Sequence, residues 1–299
     1  MENMSVDMFK DIVEWLIQSY WVPNATVSLG ILGGEPLLHP DFDAMIDFLV
    51  WRESTLIGRN LRVHLITNGD SIDNHAQNLA RLKSLSFLVN VSSMGSNEEI
   101  VRKFGTFCRL SRDATPSFTV ADSSIIERLD LFFREFPHIK FFRIGSSSSK
   151  NATSFAYYET NKKYLMEAYR HVTKHNKVIV TDCSRIPICA FNEQELKEMR
   201  SFRARIDFDA NWLGAACLDT AADIMPDGSI VHCVPLYDLT NRELKYHHFE
   251  SCFQVYSYTF RMISELIERK MSRSAKCMAC VEYKTRRCFA GCLGMDIVP

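Results

Sequence analysis

No cysteine precedes Cys108 in this 299-residue chain, so the first 107 residues offer no thiolate ligand for a metal or an iron–sulfur cluster. Long apolar runs are missing too. Nothing approaches the roughly 20 residues a bilayer crossing needs, and the opening MENMSVDMFK has neither a basic n-region nor an apolar h-region. Charge is balanced, with 35 basic against 36 acidic residues, so no global field favours nucleic acid or an anionic membrane. These absences predict a cytoplasmic protein with no nucleic-acid partner and no membrane partner. A hydrophobic content of 46% suffices for at least one substantial core and argues against disorder.

The cysteines that are present crowd the other end. Seven of the ten are Cys217, Cys233, Cys252, Cys277, Cys280, Cys288 and Cys292. Cys277-x2-Cys280-x7-Cys288-x3-Cys292 brings four thiols into one short segment, at spacings suited to shared metal coordination and cramped for disulfides. A reducing cytosol points the same way. Spacing alone leaves two readings open: a zinc knuckle of Cys277, Cys280, Cys288 and Cys292, or iron–sulfur ligation. Cys108, placed just past a helix over Asn97–Phe107, reads as an ordinary small apolar residue.

Up to about residue 175, helix-period segments alternate with short β-branched or apolar runs, the pattern of parallel β/α units. Strands are predicted at Thr26–Leu32, Leu61–Ile66, Phe87–Ser92, Ser117–Ala121 and Ile139–Ile144. Helices are predicted at Ser5–Tyr20, Asp41–Arg52, Ile72–Leu82, Asn97–Phe107, Ile125–Phe136 and Lys162–His175. Asp41 reads as a helix cap after Pro40, and Ser146–Ser149 as a polar loop. Beyond residue 176 come a short strand at Val178–Thr181, a helix at Glu193–Met199, a hairpin over Ile224–Val231 turning on Pro226-Asp227-Gly228, and a helix at Glu250–Met271. The expected domains are 1–205 and 206–299. A helix precedes every strand, so the first strand of such a sheet is expected to be missing, leaving Thr26–Leu32 as an exposed edge or in need of another cover.

Gly33-Gly34-Glu35-Pro36 directly follows a predicted strand. Paired glycines let a ligand approach the backbone, and the C-terminal ends of strands are where β/α barrels place their sites. Alone, such a turn is more often just a tight connection. The longer string Leu32-Gly33-Gly34-Glu35-Pro36-Leu37-Leu38-His39-Pro40 resembles the second-strand motif of radical S-adenosylmethionine (radical SAM) enzymes, and Thr67-Asn68-Gly69 is similar to the end of their next strand. The resemblance implies an α/β fold, a partial (β/α)6 barrel missing its first strand. It implies that Gly33, Gly34, Glu35 and Pro36 receive the methionine amino group of S-adenosylmethionine, and that Ser92 and Arg143 contact its ribose or carboxylate. His39, His247 and His248 have no ligand spacing.

Cys217-x10-Gly228-x4-Cys233, followed by the four-cysteine array, resembles the SPASM extension of peptide-modifying radical SAM proteins, a small cysteine-rich α+β domain. The resemblance implies auxiliary 4Fe-4S clusters, with Cys217, Cys233 and Cys292 ligating the nearer and Cys277, Cys280 and Cys288 the farther. Each set is one short, and Cys183, Cys189 or Cys252 is available to complete one. The implied partners are a peptide or protein substrate and an electron donor such as a flavodoxin or ferredoxin. The family's CxxxCxxC, whose cluster cleaves S-adenosylmethionine, is absent. One cut accounts for both this and the missing strand, so an N-terminal truncation is expected. The alternatives are a non-catalytic, degenerate homologue serving as a peptide-binding or Fe–S accessory protein, and a zinc-stabilised β/α binding protein.

Overall fold

A computed structural model describes residues 3–19, 26–57, 60–146, 155–181, 188–202, 206–207, 222–232, 236, 243–272 and 274–285. The chain divides into two compact units, Met1–Pro116 with Ala222–Cys233 and Leu239–Tyr258, and Ser117–Ala221 with Val234–Asp238 and Thr259–Pro299.

In the first unit, helix α1 (Val6–Ser19) leads into β1 (Thr26–Ile31), α2 (Phe42–Thr55), β2 (Asn60–Thr67), α3 (Ile72–Leu79), β3 (Leu85–Asn90) and α4 (Asn97–Leu110). β1 pairs with β2 and β2 with β3, both in parallel, in register Leu29↔Val63 and Leu65↔Phe87. Parallel neighbours need a crossover, which the intervening helices supply. Alternate strand residues Val27, Leu61, Val63, Leu65, Leu85, Phe87 and Val89 are buried, as a period of two requires for one face of a sheet. The helices answer at spacings of three and four: Phe9, Ile12, Val13 and Ile17 on α1, Ile100, Phe104 and Phe107 on α4. Phe107 meets Phe87 edge-on at 4.8 Å, a pairing that adds to burial.

The second unit repeats the scheme. β4 (Ala114–Val120, from Ser117 on), α5 (Ile125–Glu135), β5 (Phe141–Ser146), α6 (Phe155–Lys174), β6 (Val178–Thr181), α7 (Glu193–Ser201) and β7 (Ile206–Asp207) follow one another. The pairs β4–β5, β5–β6 and β6–β7 are parallel. Phe118, Phe132 and Phe142 form a ring cluster at its core. Two ion pairs, Lys162–Glu195 at 2.8 Å and Arg170–Glu198, tie α6 to α7.

The β/α alternation expected for a partial barrel is therefore present, and a helix does come first. The Pro226-Asp227-Gly228 hairpin forms as predicted, with β8 (Asp223–Ile224) antiparallel to β9 (Ile230–Val231) and Gly228 at φ +79°. α8 (Cys252–Met271), α9 (Ala275–Ala279) and α10 (Val281–Lys284) complete the described elements. No helix among the described residues is long and apolar enough to cross a membrane.

Several boundaries move. Ser92 lies beyond β3 on a 3-10 turn over Val91–Ser93, because Asn90 accepts the Ser92 N–H through its side chain and turns the chain. Cys108 sits inside α4, which runs three residues further than predicted. Ser146 is the buried end of β5 instead of the start of a loop, and Ser147–Ser149 lie outside the described residues. α6 begins seven residues before Lys162. Asp41 occupies the N-cap of α2 but its carboxylate accepts no capping bond; its own N–H donates to His39 Nδ1 at 3.1 Å.

Candidate functional site

The best-defined site lies at the C-terminal ends of β1 and β2. Gly33 at φ +104° and Gly34 at φ +53° carry the chain out of β1, and a side chain added at either would meet no atom within 4 Å. The glycines answer a backbone requirement, since L-residues avoid this region, and they leave open space before the peptide groups. Pro36 then starts a 3-10 turn over Pro36–Leu38.

Glu35 holds this loop to its neighbour. Its Oε1 accepts from the Leu37 N–H at 3.2 Å and from the Thr67 hydroxyl, while Oε2 accepts from the Asn68 N–H at 2.7 Å. An ionised carboxylate has about four acceptor positions. Three are used, so one position on Oε2 remains for a further donor. The receiving turn is fixed in its own right: Thr67 Oγ1 accepts from the Gly69 N–H and Asn68 Oδ1 from the Asp70 N–H, each at 2.9 Å. Gly69, at φ +81°, lies against Met94 and Phe107; a Cβ there would fall 2.7 Å from the Met94 methyl carbon. No other residue fits that turn unchanged.

Two histidines brace the loop from outside. His39 Nδ1 accepts from a backbone N–H, which leaves Nε2 protonated to donate to the Met4 carbonyl at 3.0 Å. His75 contacts the Leu37 carbonyl through Nε2 at 3.0 Å and the Asp43 carboxylate through Nδ1 at 2.9 Å. His39 lacks the spacing of a metal ligand, and His75 belongs to no sequence motif. Neither residue carries a local signal for these contacts.

Arg143, on β5, donates from Nη1 to the buried Ser117 hydroxyl at 2.9 Å, directly across the β4–β5 register. Ser92 is half-buried on its 3-10 turn.

Of the six cysteines read as ligands, Cys277 and Cys280 are described. Cys277 is buried in α9, where its N–H meets the capping Ser274 hydroxyl at 3.3 Å. Cys280 is half-buried between α9 and α10, and its N–H bonds the Cys277 carbonyl at 3.0 Å. One turn thus separates the two. Cys217, Cys233, Cys288 and Cys292 lie outside the described residues, as does Cys183. The Cys108 thiol is pushed up by burial to about 11. Burial also raises Cys252, against the smaller opposite effect of its bond with Ser19. Both remain protonated thiols at neutral pH.

No family model matches the chain, and no curated protein matches it. Solved structures do. Native anSMEcpe with bound AdoMet and Cp18Cys peptide matches with a TM-score of 0.55 at 16% identity, over 97% of this chain and 81% of that one. The same protein with AdoMet and Kp18Cys peptide gives 0.56 at 18% over 97% and 81%, and with AdoMet alone 0.56 at 16% over 97% and 80%. Identity this low speaks for fold alone. The fold is α/β, a partial β/α barrel like that of these structures.

Proposed function

We propose that this chain is a radical SAM/SPASM-type protein that binds S-adenosylmethionine at the Gly33–Pro36 loop and takes a peptide or protein as its partner. The observation that carries the proposal is the Glu35 clasp. Gly33 and Gly34 keep open space before their peptide groups, and Glu35, held on Leu37, Thr67 and Asn68, has one acceptor position left for an ammonium group. The residues therefore fit the methionine end of the cofactor. The solved structures of similar fold hold AdoMet and peptides, which supports both halves of the reading.

The roles are those the resemblance implies. Glu35 would accept from the methionine ammonium and the Gly33–Gly34 peptide groups would bond it from the backbone; Arg143, whose guanidinium donates to Ser117, is the residue the resemblance assigns to the ribose or carboxylate. Ser92 offers a hydroxyl to the ribose. In the family the chain resembles, a reduced 4Fe-4S cluster would supply the electron that cleaves S-adenosylmethionine, with radical chemistry on the substrate as the outcome. The cluster that family uses rests on CxxxCxxC, a pattern absent from all 299 residues. The residues here do not fit that cluster, and no step is derived through it. For auxiliary clusters the buried Cys277 and neighbouring Cys280 are suitable donors, joined in this reading by Cys217, Cys233, Cys288 and Cys292, within residues 206–299. An electron donor such as a flavodoxin or ferredoxin would serve them. The missing CxxxCxxC favours a second reading, an accessory protein that binds peptide and Fe–S cluster without chemistry of its own.

Anaerobic purification and calorimetry test the proposal. The 299-residue chain should bind S-adenosylmethionine, and Glu35→Gln should weaken binding about tenfold, one charge-assisted hydrogen bond. The chain should contain iron and sulfide, lost in Cys277→Ala/Cys280→Ala, and should form no 5′-deoxyadenosine with dithionite. Absence of binding, or a colourless protein without iron and sulfide, would reject the reading.

A further inference from the structure

We propose that Asp130 on α5 and His171 and His175 at the end of α6 form a binding site for one divalent cation of the zinc class, separate from the cysteines and from the Glu35 loop. One ligand atom from each residue lies within 4.8 Å of the other two, the only such group among the described residues. All three belong to the second unit.

The geometry follows from two helices. His171 and His175 are four residues apart, and the His175 N–H bonds the His171 carbonyl at 3.3 Å, so the helical turn persists and both rings share one face. Asp130 reaches them from α5, its Oδ1 2.7 Å from His171 Nε2. Phe133 provides a platform for both imidazoles. Its ring lies 4.3 Å from that of His175, nearly parallel at 27°, and 5.5 Å from that of His171 at 30°. Phe133 is itself anchored edge-on to the buried Phe142 at 5.3 Å. Rings held in this way lose less rotamer freedom on binding an ion than rings moving in water.

Bond lengths agree. Zinc binds imidazole nitrogen and carboxylate oxygen at about 2.0–2.2 Å, which at tetrahedral angles sets ligand atoms roughly 3.3 Å apart. For an ion to bind, the 2.7 Å pair opens and the other ligand atoms, within 4.8 Å of one another, close to that spacing. With the His171 side chain 20% exposed and that of Asp130 52% exposed, an ion can enter and water can take a remaining position. Two imidazoles and one carboxylate suit zinc, cobalt, nickel or copper(II); magnesium and calcium prefer oxygen-only shells. A bound ion would cross-link α5 to α6 and stabilise the second unit by mass action.

Cobalt(II) titration of the full chain separates this site from the cysteines, because nitrogen–oxygen ligation gives visible d–d bands without the near-ultraviolet thiolate charge-transfer band. The wild type should show one set of thiolate-free bands. His175→Phe keeps a ring on Phe133 and removes the ligand nitrogen, so it should preserve the circular dichroism and weaken that binding about 100-fold, at least the loss typical of an outer-shell partner. Asp130→Asn should weaken it about tenfold. Cobalt binding that is entirely thiolate in character, or that is unchanged in both folded variants, would overturn the proposal.

Discussion

The Glu35 loop and the Cys277–Cys280 turn are both short segments rich in potential ligands, yet they are held in opposite ways. Around Glu35, protein groups supply the partners: Leu37, Thr67 and Asn68 on the carboxylate, His39 and His75 on the flanking backbone. At Cys277 and Cys280 the backbone is ordered by Ser274 and by one helical turn. No cysteine among the described residues joins a group of three potential ligands. The Glu35 loop is ordered by protein groups alone, whereas a thiolate site of the proposed kind would need its ion to define it. The first should resist removal of a cofactor and the second should not.

The sharpest way to break the first region is Gly69→Ala. The substitution forces an L-residue to φ +81° and places a methyl 2.7 Å from Met94, costing about 3 kcal/mol. Urea denaturation should show the midpoint falling with the m-value preserved.

Next in size is the contrast itself. Glu35→Ala removes the acceptor for three donors and should destabilise the cofactor-free chain by about 2 kcal/mol. Cys277→Ala under the same conditions should cost about 1 kcal/mol, the loss of a small buried side chain. Equal effects would remove the distinction between a preformed loop and an ion-defined turn.

The smallest effect is expected at the Pro226–Gly228 hairpin and is read by pH. Burial alone would raise the Asp227 pKa, but bonds from Lys245 and Ser229 outweigh it and hold it at about 2. Its folded value lies below the ordinary 3.8, so the stabilisation is full above about pH 4 and is lost as pH falls through about 2. Nearby His232 is held down to about 4 by burial. Unfolding lets it take up a proton below its ordinary 6.5, so stability declines from there to about pH 4. Asp227→Asn should remove the lower part of this acid dependence in thermal melts, leaving the upper part intact.

Much of the architecture could be read from periodicity. Alternating apolar residues predicted β1 through β5 to within a few positions, and Pro226-Asp227-Gly228 predicted its hairpin, because these signals act over a handful of residues. What escaped was partner choice. Asp41 is a good capping residue by type, yet the His39 ring takes its N–H, a competition that residue type does not settle. Ser92 looked like a strand end until the Asn90 side chain turned the chain. The glycine turn at Gly33 and Gly34 was legible, and so was the turn at Thr67–Gly69. Their connection was not.

By itself, then, the sequence determined the β/α rhythm, the glycine turns and the crowding of cysteines beyond residue 107, each a matter of local spacing and backbone preference. Tertiary structure decided that Glu35 reaches Thr67 and Asn68 across 32 and 33 residues, and that Asp130 meets His171 across 41. Such pairs depend on strand register and helix docking, which are set by burial of whole faces and leave no mark at the residues that finally touch.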